Sequence, residues 1–170
     1  MPSTLIGSLL VYPGQGVARV EALEERTIGC DPLEFYRIAV LETDHTIWLP
    51  AARIGSGCFR ALVDRDGAER VLKRLAEPAP AESAMSWIQR SRRLDDSLAS
   101  GELERVAEVY RYMFKMKVTG SLSFIQMKLL ENARRMVLQE LGAVLERDPT
   151  ELGSQIERRF QELVSEREAA

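Results

Sequence analysis

Short runs of β-branched, aromatic and aliphatic residues fill the first half of the chain. Several of them alternate with polar residues in the period of two that is typical of half-buried strands. The predicted strands cover residues 8–12, 16–23, 34–40 and 46–50. Turn-forming sequences separate them, such as Pro13-Gly14-Gln15-Gly16 and Gly29-Cys30-Asp31-Pro32. Short strands joined by tight turns predict a small, strongly bent antiparallel β-barrel, which a short helix over about 66–75 completes.

Hydrophobic residues in the second half recur at spacings of three and four, which is the period of an amphipathic helix. The first stripe contains Leu94, Leu98, Val106, Ala107, Tyr110, Met113 and Phe114. Two later helices have clear start signals. Ser123-Phe124-Ile125-Gln126 is a capping box, and Asp148-Pro149-Thr150-Glu151 combines an Asp cap with proline at the first helical position. The second half is therefore expected to be an all-helical bundle.

The change of period falls at Glu77-Pro78-Ala79-Pro80, where two prolines interrupt regular structure. A chain of 170 residues is long enough for two small domains. The sequence therefore predicts an α+β fold in which residues 1–76 form the β-barrel domain, 77–82 a linker and 83–170 the helical domain.

Composition predicts a cytoplasmic protein with reduced thiols. No stretch approaches the roughly 20 apolar residues of a membrane-spanning helix, so no membrane association is expected. Met1-Pro2-Ser3-Thr4 lacks the basic and apolar regions of a signal peptide. Cys30 and Cys58 are too few and too far apart to indicate a metal knuckle or a disulfide framework.

The net charge of −3 hides an asymmetry along the second half. Residues 85–135 contain ten basic and six acidic side chains, a net charge of +4, whereas 136–170 contain four basic and eight acidic ones, a net charge of −4. The basic stretch permits contact with nucleic acid without demanding it. An acidic tail disfavours autonomous DNA binding, so a partner is expected to bring the protein to its site of action.

The sequence contains no recognisable catalytic centre, and we expect no enzymatic activity, cofactor or metal. The single histidine, His45, lies in a predicted turn. Gly14-Gln15-Gly16 leads into no helix or lysine, which a phosphate-binding loop would need. Gly55-Ser56-Gly57-Cys58 lacks the strand-to-helix context of a nucleophile elbow, and Asp95-Asp96 lacks a catalytic partner.

Trp87 has two interpretations from the sequence alone. It lies just beyond the proline break, in Ser86-Trp87-Ile88-Gln89-Arg90-Ser91-Arg92-Arg93. The indole could press against nucleic-acid bases while the arginines neutralise phosphates. It could equally cap a helical core, with the arginines as a solvated face, and taken alone this core interpretation is favoured because large aromatics carry much of the buried area of a core.

Taken in order, several segments resemble the CarD/CdnL family of bacterial transcription factors. The likeness runs from about Gly7 to Leu145, and its opening, residues 10–20, is close to the family pattern V-V-Y-P-x-x-G-V-G-x-V. The other matching segments are Glu24-Glu25-Arg26-Thr27-Ile28, Phe35-Tyr36, Trp48-Leu49-Pro50, Trp87 followed by Leu98-Ala99-Ser100-Gly101, and Val106-Ala107-Glu108-Val109.

The resemblance implies that the N-terminal domain is a Tudor-like barrel that binds the β subunit of RNA polymerase. This module also resembles the polymerase-interacting domain of transcription-repair coupling factor. Arg26 matches an arginine of the β-subunit interface, and Trp48 and Pro50 lie on the interface strand. Trp48 departs from the pattern, because relatives have Arg or Met there, which implies an altered or more apolar interface.

The resemblance also implies that the helical domain contacts promoter DNA near the upstream edge of the melted region. Carried over by position, Trp87 is the tryptophan that wedges into the minor groove. Arg90 and Arg92 match basic positions that approach the DNA backbone, and Arg93 adds a charge nearby. Gln89 stands where some relatives carry arginine, so one phosphate contact is expected to be missing or neutral.

The function expected from this resemblance is a monomeric initiation factor that stabilises the open promoter complex without base-specific recognition. An alternative is a divergent paralogue that binds polymerase as an adaptor without touching DNA, which Gln89 and the acidic tail slightly favour. An autonomous DNA-binding repressor would need a stronger basic bias and a recognition helix. A Tudor-like reader of modified residues would need an aromatic cage, for which the candidates are Tyr12, Phe35, Tyr36 and Trp48.

Overall fold

The computed structural model describes residues 5–79 and 84–170, which fall into two compact units, Met1–Leu62 and Val63–Ala170. The first unit is a β-sheet and the second is helical, so the predicted α+β class is confirmed. From residue 5 onward, where the description begins, five strands make up the sheet: β1 (Leu9–Tyr12), β2 (Gly16–Ile28), β3 (Asp31–Val40), β4 (Thr46–Pro50) and β5 (Arg60–Ala61).

The strands pair antiparallel in the order β4-β3-β2-β1-β5. A bulge between Val20 and Ala22 interrupts the β2–β3 register, and a bulge of this kind bends a strand and increases its twist. The bent antiparallel sheet agrees with the prediction, but within the described residues no pairing joins β4 to β5, so the sheet is open rather than a closed barrel. One face carries the core, whose buried residues are Ala18, Val20, Tyr36, Ile38, Val40 and Leu49.

The β2–β3 hairpin is longer than the predicted strands, which covered only 16–23 and 34–40. Pairing continues to Ile28 and Asp31, and only Gly29 and Cys30 form the turn. Gly29 has a φ of +70°, a left-handed conformation that glycine adopts without strain. The hairpin therefore extends beyond the core, and its outer residues form a separate surface.

The described residues of the second unit form five helices: α1 (Arg65–Ala76), α2 (Trp87–Ser100), α3 (Leu103–Thr119), α4 (Phe124–Leu145) and α5 (Pro149–Glu168). The predicted helix starts at Ser123 and Asp148 are confirmed, since both side chains accept hydrogen bonds from backbone N–H groups of the first turn. The core contains buried residues from all five helices.

The boundary between the units differs from the one predicted at residue 76. Helix α1 was expected to close the β-domain, but Ala68, Val71 and Leu75 are buried in the core of the helical unit. Glu140 of α4 also accepts a hydrogen bond from the Val63 backbone N–H at 3.0 Å, which fixes the entry to this unit. Of the predicted linker 77–82, residues 80–82 lie outside the described residues.

Polar contacts tie α3, α4 and α5 together. The Tyr110 hydroxyl donates to Glu157 Oε1 at 2.8 Å, and Arg134 Nε donates to the same oxygen at 2.7 Å. Burial, together with the Glu157 carboxylate, raises the pKa of the Tyr110 hydroxyl above its ordinary value, so the phenol stays protonated. These contacts make the last helix part of the bundle.

The described residues contain neither a membrane-spanning helix nor a metal-binding cluster. None of the helices there combines the length and the apolar character needed to cross a membrane. The described side chains also include no cluster of His, Cys, Asp or Glu that could hold a metal ion.

Candidate functional site

Trp87 is the first residue of α2, and a capping box fixes that position. Ser86 Oγ accepts a hydrogen bond from the Gln89 backbone N–H at 3.3 Å, and Gln89 Oε1 accepts one from the Ser86 backbone N–H at 3.1 Å. The two bonds satisfy N–H groups that a helix start leaves unpaired. Gln89 therefore has a structural role at the position where some relatives carry arginine. The corresponding signal, Ser86-x-x-Gln89, is present in the sequence.

The indole of Trp87 is 52% exposed, and Ile88 beside it is also exposed. The core interpretation of Trp87 is therefore wrong. Helix α2 first joins the core with Leu94 and Leu98, about two and three turns beyond the tryptophan. The first turn extends past the region where other helices cover it, which leaves a large apolar side chain at an open helix start.

Cationic side chains flank Trp87 on both sides of α2. By helical periodicity, Arg90 and Arg93 share one side, whereas Arg92 lies nearly opposite Arg90. Arg90 Nη1 donates to the Tyr112 hydroxyl of α3 at 2.8 Å, which anchors its guanidinium to the bundle. Arg92 and Arg93 are exposed. The structure thus brings the four residues predicted for DNA binding to the first two turns of one helix.

Two other arginines near α2 are engaged in ion pairs within the bundle. Arg74 pairs with Glu104 at 3.7 Å and with Glu108 at 3.0 Å, and the buried Arg111 pairs with Glu108. All four side chains line, with Arg90 and Arg93, a groove of about 490 Å³. Because Arg74 and Arg111 are already paired with carboxylates, they are less available to an external anion than the exposed Arg93 of α2 and Arg105 of α3, which also line the groove.

A second helix start repeats the arrangement around Trp87. Helix α4 begins with Ser123-Phe124-Ile125-Gln126, which matches Ser86-Trp87-Ile88-Gln89 in cap, aromatic residue, isoleucine and glutamine. Phe124 is 73% exposed, and Lys128 Nζ lies 4.6 Å from the centroid of its ring. Only Gly101 and Glu102 connect α2 to α3, and Arg90 near the start of α2 reaches Tyr112 in the middle of α3, so α2 runs back along α3. Helix α4 follows α3 directly, so both starts lie toward the same end of the bundle. From the sequence alone, this segment predicts only a helix start.

The three residues predicted for polymerase binding lie together on the outer face of the sheet. Arg26 on β2 is opposite Leu33 of β3, while Trp48 and Pro50 of β4 are opposite Arg37 and Phe35. All of these positions belong to the face opposite the buried Tyr36 and Leu49. Arg26 Cζ lies 3.3 Å from the centroid of the Trp48 ring, a direct cation–π stack.

Leu33 and Ile28 extend this outer face toward the tip of the hairpin. Leu33 is 46% exposed, and Ile28 is exposed as well. Both were missed from sequence, because the strands were predicted to end before the tip. Their alternation with Arg26 was a usable signal, since residues 26 and 28 share a strand face.

The candidate aromatic cage does not form. Tyr12 and Tyr36 pack with the core of the sheet, and Tyr12 stacks on Phe59 with ring centroids 4.9 Å apart. Phe35 and Trp48 belong to the opposite face. A cage needs aromatic rings converging on one point, so the hypothesis of a reader of modified residues is wrong for this set.

The exposure of Trp87 predicts that its removal costs little stability. Trp87→Ala should change the free energy of unfolding by no more than about 0.5 kcal/mol, as is usual for surface substitutions. Phe160→Ala, at a buried position of the same unit, should cost about 3–5 kcal/mol. Urea unfolding of both variants measures the difference, and a loss for Trp87→Ala as large as that for Phe160→Ala would contradict the exposed position.

Comparison with known families covers nearly the whole chain. A model described as the CarD-like/TRCF RID domain matches residues 5–63, and one described as the CarD C-terminal domain matches residues 70–163. The first match ends within one residue of the structural boundary between Leu62 and Val63. Among curated proteins, a Bacillus subtilis (strain 168) relative named "Putative transcription factor YdeB" is 27% identical over 139 residues, which cover 82% of this chain and 90% of the relative.

The C-terminal match alone spans more than half of the sequence, and the N-terminal match is to a type of domain that interacts with RNA polymerase. The chain therefore belongs to the CarD family of RNA polymerase-interacting transcription regulators.

Proposed function

We propose that this protein is a transcription initiation factor that docks on the β subunit of bacterial RNA polymerase and contacts promoter DNA, thereby stabilising the open complex without base-specific recognition. In this proposal it acts as a cytoplasmic monomer that reaches the nucleoid through polymerase. The observation that carries the proposal is Trp87, a half-exposed indole at an open helix start with arginines on both sides.

An apolar side chain at an open helix start is suited to inserting beside a base step of the minor groove. Unstacking a base step costs a few kcal/mol, and an inserted aromatic ring offsets part of that cost. The helix N-terminus has a partial positive charge that favours nearby phosphates. Arg90, Arg92 and Arg93 add charge next to it, so the helix can hold the DNA backbone while Trp87 contacts the bases.

Phe124 and Ile125 extend the same DNA-facing surface in this proposal. They are exposed at the end of the bundle where Trp87 also lies, and Lys128 covers the Phe124 ring. Aromatic stacking on bases and sugars requires no particular base identity, which suits a factor acting at many promoters. A broad apolar and cationic end therefore needs fewer charges than a strongly basic DNA-binding domain.

Docking on polymerase brings the helical unit close to DNA, which its modest charge alone would not achieve. A net charge of +4 over residues 85–135, followed by −4 over 136–170, gives weak attraction to DNA at large. Attachment through the sheet raises the effective concentration of the helical unit near one promoter. In this proposal Arg26, Trp48 and Pro50 form the docking face for the β subunit.

The alternative is an adaptor that binds polymerase without DNA contact. The acidic residues after Met136 favour it, because they oppose DNA binding. Gln89 also favours it, because it supplies no charge to a phosphate, although its amide forms part of the capping box that holds Trp87 in place. The two functions differ in whether Trp87 is needed for activity.

Replacement of Trp87 should shorten the life of the open complex. Trp87→Ala removes the inserted ring, and loss of one base–aromatic stack predicts about a tenfold shorter lifetime after competitor challenge. Trp87→Phe keeps a smaller ring and should give an intermediate lifetime. Binding to polymerase, measured in parallel, should be unchanged in both variants. An unchanged lifetime for Trp87→Ala, with polymerase still bound, would favour the adaptor.

Charge reversal at Arg26 should abolish docking. Arg26→Glu removes the guanidinium from the Trp48 ring and places a carboxylate at the interface, so polymerase affinity should fall at least about thirtyfold and activity with it. Arg19→Glu is the matched control, because it reverses an exposed charge earlier on the same strand. Equal affinities for the wild type and Arg26→Glu would place the docking face elsewhere.

A further inference from the structure

The contact between Arg26 and Trp48 is diagonal, across the strand that separates them. Arg26 lies on β2 in the row of Leu33, and Trp48 lies on β4 in the row of Arg37. Phe35 occupies β3 between those two rows and is only 8% exposed, although it belongs to the outer face. The stacked pair therefore spans β3 at the position of Phe35.

The stack leaves the hydrogen-bonding edge of Arg26 available. A distance of 3.3 Å between Cζ and the ring centroid requires the guanidinium to lie nearly parallel to the indole. Its five N–H donors lie in the guanidinium plane, so stacking covers a face of the group and not its edge. Within the part of the chain that the structure describes, the Arg26 side chain makes no hydrogen bond or ion pair.

The neighbouring Arg37, on the same face, differs from Arg26 because it is paired with carboxylates. Its guanidinium lies 3.4 Å from Glu21 and 3.5 Å from Glu24, so its charge is balanced by two carboxylates. Arg26 has an aromatic partner in place of a carboxylate. The outer face thus presents the Arg26 guanidinium in a fixed plane, and no carboxylate of the described residues balances its charge.

We propose that Trp48 is a positioning residue that holds the Arg26 guanidinium ready for a carboxylate of RNA polymerase, an inference that rests on the proposed docking function. An arginine side chain loses considerable conformational freedom when it is fixed in a complex. The stack imposes that restriction before the partner arrives, which improves affinity through preorganisation.

The surroundings of Arg26 define the chemistry of the partner. A planar guanidinium with a free edge pairs best with a carboxylate, through two parallel hydrogen bonds. Leu33 lies directly across from Arg26. Pro50 pairs with Phe35 and lies on the same strand face as Trp48, two residues further along β4. The matching polymerase surface therefore has an Asp or Glu side chain bordered by apolar groups.

A double-mutant cycle on the full chain separates positioning from simple contact. The proteins are wild type, Trp48→Leu, Arg26→Ala and the double variant, each titrated against purified bacterial RNA polymerase. Trp48→Leu keeps apolar bulk but loses the ring face, and should weaken binding about fivefold. In the Arg26→Ala background the same change should have almost no effect, because no guanidinium remains to be positioned. Trp48→Phe keeps a ring and should retain affinity within about twofold of wild type.

If Trp48→Leu and Arg26→Ala lowered polymerase affinity independently of each other, the positioning role would be overturned, because Trp48 would then contact polymerase separately. Failure of the wild type itself to bind would instead remove the docking function and this inference with it, so the two failures are distinct.

The free protein provides a readout that needs no polymerase. A guanidinium stacked on an indole places the Arg26 Hδ and Hε protons in the ring current, so their NMR signals should shift upfield in wild type and Trp48→Phe. Trp48→Leu should return them toward random-coil values while leaving the thermal unfolding midpoint of the sheet unchanged. Random-coil values in the wild type would overturn the proposal.

Discussion

The capping box of Ser86 and Gln89 determines where α2 begins, and with it where Trp87 projects. The indole lies about two turns before Leu94, the first residue of α2 that packs against the core. At the first helical position it lies beyond the core, next to the positive end of the helix dipole. The combination of exposed ring and cationic helix start underlies the proposed contact with DNA.

The two proposed activities belong to separate units of the chain. The outer face of the sheet carries Arg26 and Trp48, whereas the open helix starts carry Trp87 and Phe124. Helix α1 belongs to the bundle, so the boundary between the units falls at Leu62 and not after the helix. In the proposed function, affinity depends on both a weak DNA surface and a docking surface, which would restrict action to promoters where polymerase is already present.

Local patterns were sufficient to predict much of the fold. The period of the hydrophobic residues separated strands from helices, and the cap residues Ser123 and Asp148 marked helix starts correctly. Local patterns did not show which unit α1 packs in. The sequence of an amphipathic helix shows which face is buried but not which element covers that face. The apolar residues Val71 and Leu75 of α1 could pack in either unit. The proline at position 78 favoured a domain boundary after α1, at residue 76, over the observed one at Leu62.

The candidate sites depended more on tertiary structure. The resemblance placed Arg26, Trp48 and Trp87 in sites, but sequence alone favoured a core position for Trp87, because exposure depends on where neighbouring helices end. The stack of Arg26 on Trp48 depends on the register of three strands, which a bulge near Val20 shifts. Phe124 could have been found from its repeated Ser-aromatic-Ile-Gln motif, although the motif alone does not show that both starts share one end of the bundle.

The most direct test of the account is photocrosslinking from the position of Trp87. With p-benzoylphenylalanine in place of Trp87, the open complex of RNA polymerase should give a crosslink to promoter DNA at the upstream edge of the melted region. The crosslink should disappear when polymerase is omitted or when Arg26 is also changed to Glu. Crosslinks to protein alone, or to DNA equally well without polymerase, would contradict the claim that a polymerase-docked factor places Trp87 against the promoter.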